Sequence, residues 1–198
     1  MKNSRRLAIA ALTGVLVVGL VAAGASARSS SPAKKSASIK ACALLPDTVT
    51  STRYTLFDAP YLTKAFKNAG VPALILNAHK DPQKQKSQAQ QCLAQGAKVV
   101  LFDQLDPASG ASITNLLVDG GAKVIDYDRL VVGSKASYYV SFDNPTVGKL
   151  QAKGIIAAMK AKKIYGKHPV VSELNGDIKD NNAKQFKQGY DSVLNPLF

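Results

Sequence analysis

The stretch Gly96-Ala97-Lys98-Val99-Val100-Leu101-Phe102-Asp103 returns about 25 residues later as Gly121-Ala122-Lys123-Val124-Ile125-Asp126-Tyr127-Asp128. Each copy opens on Gly-Ala-Lys, continues into β-branched and apolar residues and ends on a carboxylate, with Asp126 interrupting the second run. A glycine that accepts the left-handed conformation commonly ends a helix, so a strand starting within three residues makes each copy a helix-to-strand turn. Ala69-Gly70-Val71, ahead of Ala73 to Leu76, is a third. Working outward, strands are expected at Ile39 to Leu45, Ala73 to Leu76, Val99 to Phe102, Val124 to Tyr127, Tyr138 to Phe142 and Pro169 to Leu174. Helices are expected at Tyr54 to Ala69, Pro82 to Gln95, Ser109 to Asp119, Pro145 to Ala161 and Asn182 to Leu194. Strands alternating with helices require right-handed crossovers and a parallel sheet covered on both faces. The expected fold is therefore α/β, a doubly wound parallel sheet, and its ligand site lies outside the carboxyl ends of the strands.

Ahead of this pattern stand Lys2, Arg5 and Arg6, an uncharged apolar run from Leu7 to Ala23, and the small-residue site Ala25-Ser26-Ala27. Residues 1–27 read as a signal peptide, so the chain is expected to be exported. An uncleaved membrane anchor is the alternative, because the apolar run approaches spanning length. Residues 28–38 are rich in Ser, Ala and Lys without apolar periodicity and read as a flexible tether. The formal charge of +13 is front-loaded. From Ala41 onward 19 Lys and Arg face 13 Asp and Glu, and no aromatic or Arg cluster interleaves the short lysine runs. That distribution argues against nucleic-acid binding.

Cys42 and Cys92 are compatible with one disulfide in an oxidising compartment, with two buried thiols as the alternative. The strand ends carry Asp47 and Arg53, Asn77 and His79, Asp103, Gln104 and Asp106, Asp128 and Arg129, Asp143 and Asn144, and Glu173, Asn175, Asp177, Asp180, Asn181 and Asn182. Converging on one crevice, such side chains suit a ligand with many hydroxyls, and Tyr54 and Phe57 offer rings to stack on a sugar's C–H face. Each Asp or Asn taken alone is equally a turn or cap residue. His79 and His168 lack zinc-site spacing, and no Gly-rich phosphate loop or Gly-x-Ser-x-Gly elbow is present, so neither a metal, a cofactor nor an enzyme is expected.

Three motifs resemble the periplasmic sugar-binding proteins of ABC importers, in the ribose-binding superfamily and nearest its D-xylose-binding branch. They are Tyr127-Asp128-Arg129, the run Ser141-Phe142-Asp143-Asn144 continuing through Val147-Gly148-Lys149-Leu150-Gln151-Ala152-Lys153, and Asp180-Asn181-Asn182-Ala183-Lys184. The resemblance extends from Ile39 to about Leu194. It implies a type I periplasmic binding protein with a flavodoxin-like lobe, a monosaccharide ligand, the permease subunits of an importer as partners, and a monomer. It implies that Arg53 and Arg129 donate to sugar hydroxyls, Tyr54 stacks on the ring, Asp128 is a further ligand candidate that also orients Arg129, and Asp180 and Asn182 bind from a second lobe. Asp143 and Asn144 become hinge and cap residues.

Set against that family, residues 39–142 read as the N-terminal sugar-binding lobe and 143–198 as the truncated start of the second. The expectation is then reduced stability and weak or no sugar binding by the chain alone, which micromolar binding would overturn. Two other readings are weighed: a membrane-tethered sugar sensor, if the leader stays attached, and a carbohydrate-active enzyme using the strand-end carboxylates.

Overall fold

The computed structural model describes residues 38–48 and 51–197. The signal peptide and almost all of the tether lie outside the described residues. Five parallel strands, β1 (Ala41–Leu45), β2 (Ala73–Asn77), β3 (Val99–Phe102), β4 (Lys123–Tyr127) and β5 (Tyr138–Val140), form one sheet in the order β2-β1-β3-β4-β5. This is the flavodoxin-like doubly wound order. In register, Cys42 sits between Leu74 of β2 and Val100 of β3, and Phe102 pairs with Asp126 of β4. All five residues of β1 are buried, as a central strand covered on both faces requires.

Between the strands run α1 (Ala59–Asn68), α2 (Pro82–Ala94) and α3 (Pro107–Asp119), and after β5 come α4 (Asn144–Ala161) and α5 (Asn181–Leu194). Gly70, Gly96 and Gly121 all have positive φ at the helix-to-strand turns. Helix starts are set by carboxylates. Asp81, Asp106, Asp143 and Asp180 accept the free first-turn amides of α2, α3, α4 and α5, and prolines occupy the first turns of α2, α3 and α4. The core joins Cys42, Leu44, Val100, Phe102, Ile113, Leu117 and Val124. Cys42 of β1 and Cys92 of α2 form a disulfide with Cα atoms 6.2 Å apart.

Two expected elements differ. The helix from Tyr54 is split, because Tyr54–Asp58 is a π-helical turn and α1 proper follows it. Pro169 to Leu174 is not a strand, because a strand needs a neighbour's ladder and the sheet ends at β5. The stretch instead lies along α5, where Lys187 Nζ donates to Glu173 Oε2 at 2.6 Å and the Tyr190 hydroxyl donates to Asn175 Oδ1. Val170, Leu174 and Ile178 are left exposed. Among the described residues no helix is long and apolar enough to cross a membrane, and no cluster of three or more metal-ligating side chains occurs.

Candidate ligand-binding site

All strands run the same way, so the segments leaving β1, β3 and β4 meet at one edge of the sheet. The π-helical turn crosses that edge. Its i to i+5 closure sets Arg53 and Asp58 on one face, and Arg53 Nε donates to Asp58 Oδ2 at 2.9 Å. Arg53 Nη1 donates to Asp128 Oδ1 at 3.0 Å, and the Tyr127 hydroxyl donates to Asp58 Oδ1 at 3.2 Å. Asp128 takes φ +66°, which turns the chain sharply after β4 and brings Arg129 back over the sheet edge. A left-handed non-glycine residue costs on the order of 1 kcal/mol and is held only by surrounding contacts.

Arg129 lies over the Tyr54 ring, its guanidinium carbon 5.9 Å from the ring centre, and Arg53 covers the same ring at 5.0 Å. Tyr54 is 2% exposed. Arg129 Nη1 donates to the Gln104 carbonyl at 3.2 Å. Its Nε stands 3.7 Å from Asp103 Oδ1 and 3.5 Å from Asp180 Oδ2. These are ion-pair distances beyond good hydrogen bonds. Among the described residues, Arg129 Nε has no acceptor and both Asp103 oxygens have no donor, although Asp103 is 0% exposed.

Burial pushes the Asp103 carboxyl well above the usual range, against the pull of Arg129. For Arg129 burial opposes the charge, but Tyr54, Asp103, Asp180 and Asp128 outweigh it and the guanidinium is held more firmly charged. Burial and the neighbouring Asp103 push the Tyr54 hydroxyl upward.

The remaining side chains come from α5. Asp180 caps that helix by accepting from the Asn182 amide at 2.9 Å. Asn182 Nδ2 donates to the Asp128 carbonyl at 3.1 Å, and Asn182 Oδ1 accepts from Asn144 Nδ2 at 2.9 Å. Close approach of α4 and α5 permits this, with the Cα of Gly148 and the Cα of Gly189 each within 2.9 Å of where the other would carry a Cβ. Asp143 accepts from the Thr146 amide as the α4 cap.

The structure thus brings Arg53, Tyr54, Asp128, Arg129, Asp180 and Asn182 into one polar cluster. Two details differ from expectation. The Asp128 carboxylate bonds Arg53 rather than Arg129, because φ +66° turns it toward the π-helical turn. The Tyr54 ring is buried beneath two guanidiniums, whereas Phe57 is exposed and stacks on Tyr61. Asp58 was not singled out in the sequence, and its spacing of five from Arg53 becomes informative only in a π turn. Asp103 was one of many strand-end carboxylates, and its isolation is visible only in three dimensions. A separate apolar groove of about 550 Å³, lined by Gln151, Ile155, Ala158, Leu174, Tyr190 and Leu194 among others, contains none of these residues.

Residues 42–197 match the family model described as Periplasmic binding protein domain. The chain belongs to the periplasmic binding protein family. Within the family it is similar to the Multiple sugar-binding periplasmic protein of Azospirillum brasilense, 36% identical over 141 residues that cover 70% of this chain and 39% of that protein. It is similar also to the D-xylose-binding periplasmic protein of Haemophilus influenzae, 32% identical over 140 residues, covering 69% of this chain and 39% of that one. These relatives are receptors rather than enzymes. The fold matches a solved ABC transporter solute-binding protein of Clostridium phytofermentans with bound β-D-glucose, with a TM-score of 0.68 and 28% identity, over 79% of this chain and 48% of that one. A carbohydrate-transporter binding protein of Chloroflexus aurantiacus in complex with D-glucose gives 0.67 and 27%, over 80% and 45%. The chain spans about 40% of the length of the curated relatives it matches.

Proposed function

We propose that this chain is the sugar-capturing part of an exported receptor that takes a monosaccharide, D-xylose or a similar aldose, and hands it to the permease of an ABC importer. The carrying observation is the polar cluster at the carboxyl edge of the sheet, where the buried Arg129 Nε and both Asp103 oxygens have no hydrogen-bond partner among the described residues. Four carboxyl groups, from Asp58, Asp103, Asp128 and Asp180, surround two guanidiniums. That balance disfavours an anionic ligand and suits a neutral molecule whose hydroxyls both donate and accept. Naming an aldose rests on the sugars of the relatives. In this reading the leader, residues 1–27, carries the protein across the membrane, residues 39–142 form the first lobe, and Asp180 and Asn182 reach the ligand from the start of a second. The receptor acts as a monomer.

One wall and one helix end enclose a sugar incompletely, so the chain is expected to bind D-xylose with Kd on the order of 1 mM, about −4 kcal/mol. Isothermal titration with D-xylose, D-glucose and xylose 5-phosphate tests the reading, alongside the variant Arg129→Ala. Heat from the neutral aldoses that disappears in R129A supports it. Preference for the phosphate, no heat with either aldose, or undiminished binding by R129A overturns it.

A further inference from the structure

Arg129 is caught between two carboxylates and bonded by Nε to neither. Asp103 Oδ1 lies 3.7 Å away on the sheet side, and Asp180 Oδ2 lies 3.5 Å away at the cap of α5. Its Nη1 is anchored to the Gln104 carbonyl, which lets the head pivot toward either acid without leaving the site. Asp103 is wholly buried and neither of its oxygens receives a hydrogen bond from the described residues. Leaving a buried carboxyl without a good hydrogen bond costs several kcal/mol, which the nearby Arg129, Arg53 and Tyr54 offset only in part. A guanidinium movement of about 1 Å would turn the 3.7 Å approach into a charge-assisted hydrogen bond.

We infer that Asp103 is a positioning residue of the site, competing with Asp180 for Arg129 Nε, and that a ligand engaging Asp180 passes the guanidinium to Asp103. This rests on the sugar-binding reading for its ligand half alone, because the competition exists in the unliganded chain. The other charged or titratable groups around Asp103 are Arg53 and Tyr54 at the π-helical turn and Asp128 after β4. Arg53 is held by Asp58 and Asp128, which leaves Arg129 as the cation free to move. Since burial favours the neutral form of Asp103, the handover is weakened by acid: affinity falls as pH is lowered through the range where Asp103 takes up its proton.

The test follows the Arg129 Nε–Hε resonance by ¹⁵N NMR, with D-xylose as ligand. In the unliganded protein, Asp180→Asn should move this resonance in the direction that saturating xylose moves it in wild type, and Asp103→Asn should abolish both movements. D103N should also weaken xylose about tenfold at alkaline pH, where the wild-type carboxyl is ionised, and flatten the decline in affinity on acidification, without lowering the melting temperature, since a buried carboxyl has been neutralised. A purely structural Asp103 would instead lower the melting temperature and leave affinity and pH profile unchanged, which overturns the inference. An unmoved resonance in D180N overturns it too. Failure of wild type to bind xylose, with the D180N movement present and lost in the D103N/D180N double variant, would defeat the sugar reading and leave the competition standing.

Discussion

Replacing Gly148 by Ala should loosen α4 from α5 and, through α5, the binding cluster. A Cβ at Gly148 would collide with the backbone carbonyl of Phe186 and lie 2.9 Å from the Gly189 Cα. Backbone cannot rotate aside as a side-chain tip can, so the helices must part. Overpacking of this kind costs about 1–3 kcal/mol, with the upper end apt here because backbone meets backbone. Alanine recovers about 1 kcal/mol through helix propensity. The expected net loss is about 2 kcal/mol, a fall in melting temperature of about 6 °C for a chain of this size. Gly154 in the same helix is the control, because a Cβ there meets nothing within 4 Å. Gly154→Ala should therefore gain about 1 kcal/mol and rise by about 3 °C. Thermal melts followed by circular dichroism compare the two. G148A should additionally shift the Asn182 side-chain amide resonance, whose bond to the Asp128 carbonyl depends on the helix contact. Equal melting temperatures for G148A and G154A would refute the packing argument.

The Cys42–Cys92 disulfide closes 50 residues of chain, so reduction should remove about 4 kcal/mol, read as a lower urea midpoint with dithiothreitol; an unchanged midpoint would contradict it. Burial pushes the Asp126 carboxyl up to about 6, with the Val131 amide pulling weakly the other way. A folded value above the unfolded one means the native state binds the extra proton, so stability should fall as pH rises from about 4 to about 6. Asp126→Asn should remove that decline and raise the pH 7 midpoint, and a decline that persists in the variant would show another group responsible. Asp106 caps α3 through the Ser109 amide at 3.0 Å, and Asp106→Ala should cost about 1 kcal/mol at pH 7 by urea titration, a loss that shrinks in acid as the carboxylate is protonated.

The fold was legible because its signals are local. Gly70, Gly96 and Gly121 mark turns by their own conformational freedom, and each strand that forms carries its apolar run within five residues. Pro169 to Leu174 has the composition of a strand, but pairing is a property of two segments and its neighbour is not among the described ones. The cluster was half legible. The end of β4 names Asp128 and Arg129 and the Asp180-Asn181-Asn182 motif names the rest, yet which carboxylate meets which guanidinium depends on a π turn and on one left-handed aspartate. Asp103 shows the limit most sharply. In sequence it is one acid after one strand, and only its burial beside an incompletely bonded Arg129 sets it apart.

The central claim is that this sheet edge receives a neutral sugar, and residue-by-residue mapping of D-xylose by ¹⁵N chemical shifts tests it most directly. At about 50 mM sugar, well above the expected Kd, changes should centre on Arg53, Asp103, Gln104, Asp128, Arg129 and Asp180 to Asn182. Changes centred on Ile155, Leu174 and Tyr190 in the groove beside α4, or no change anywhere, would contradict it.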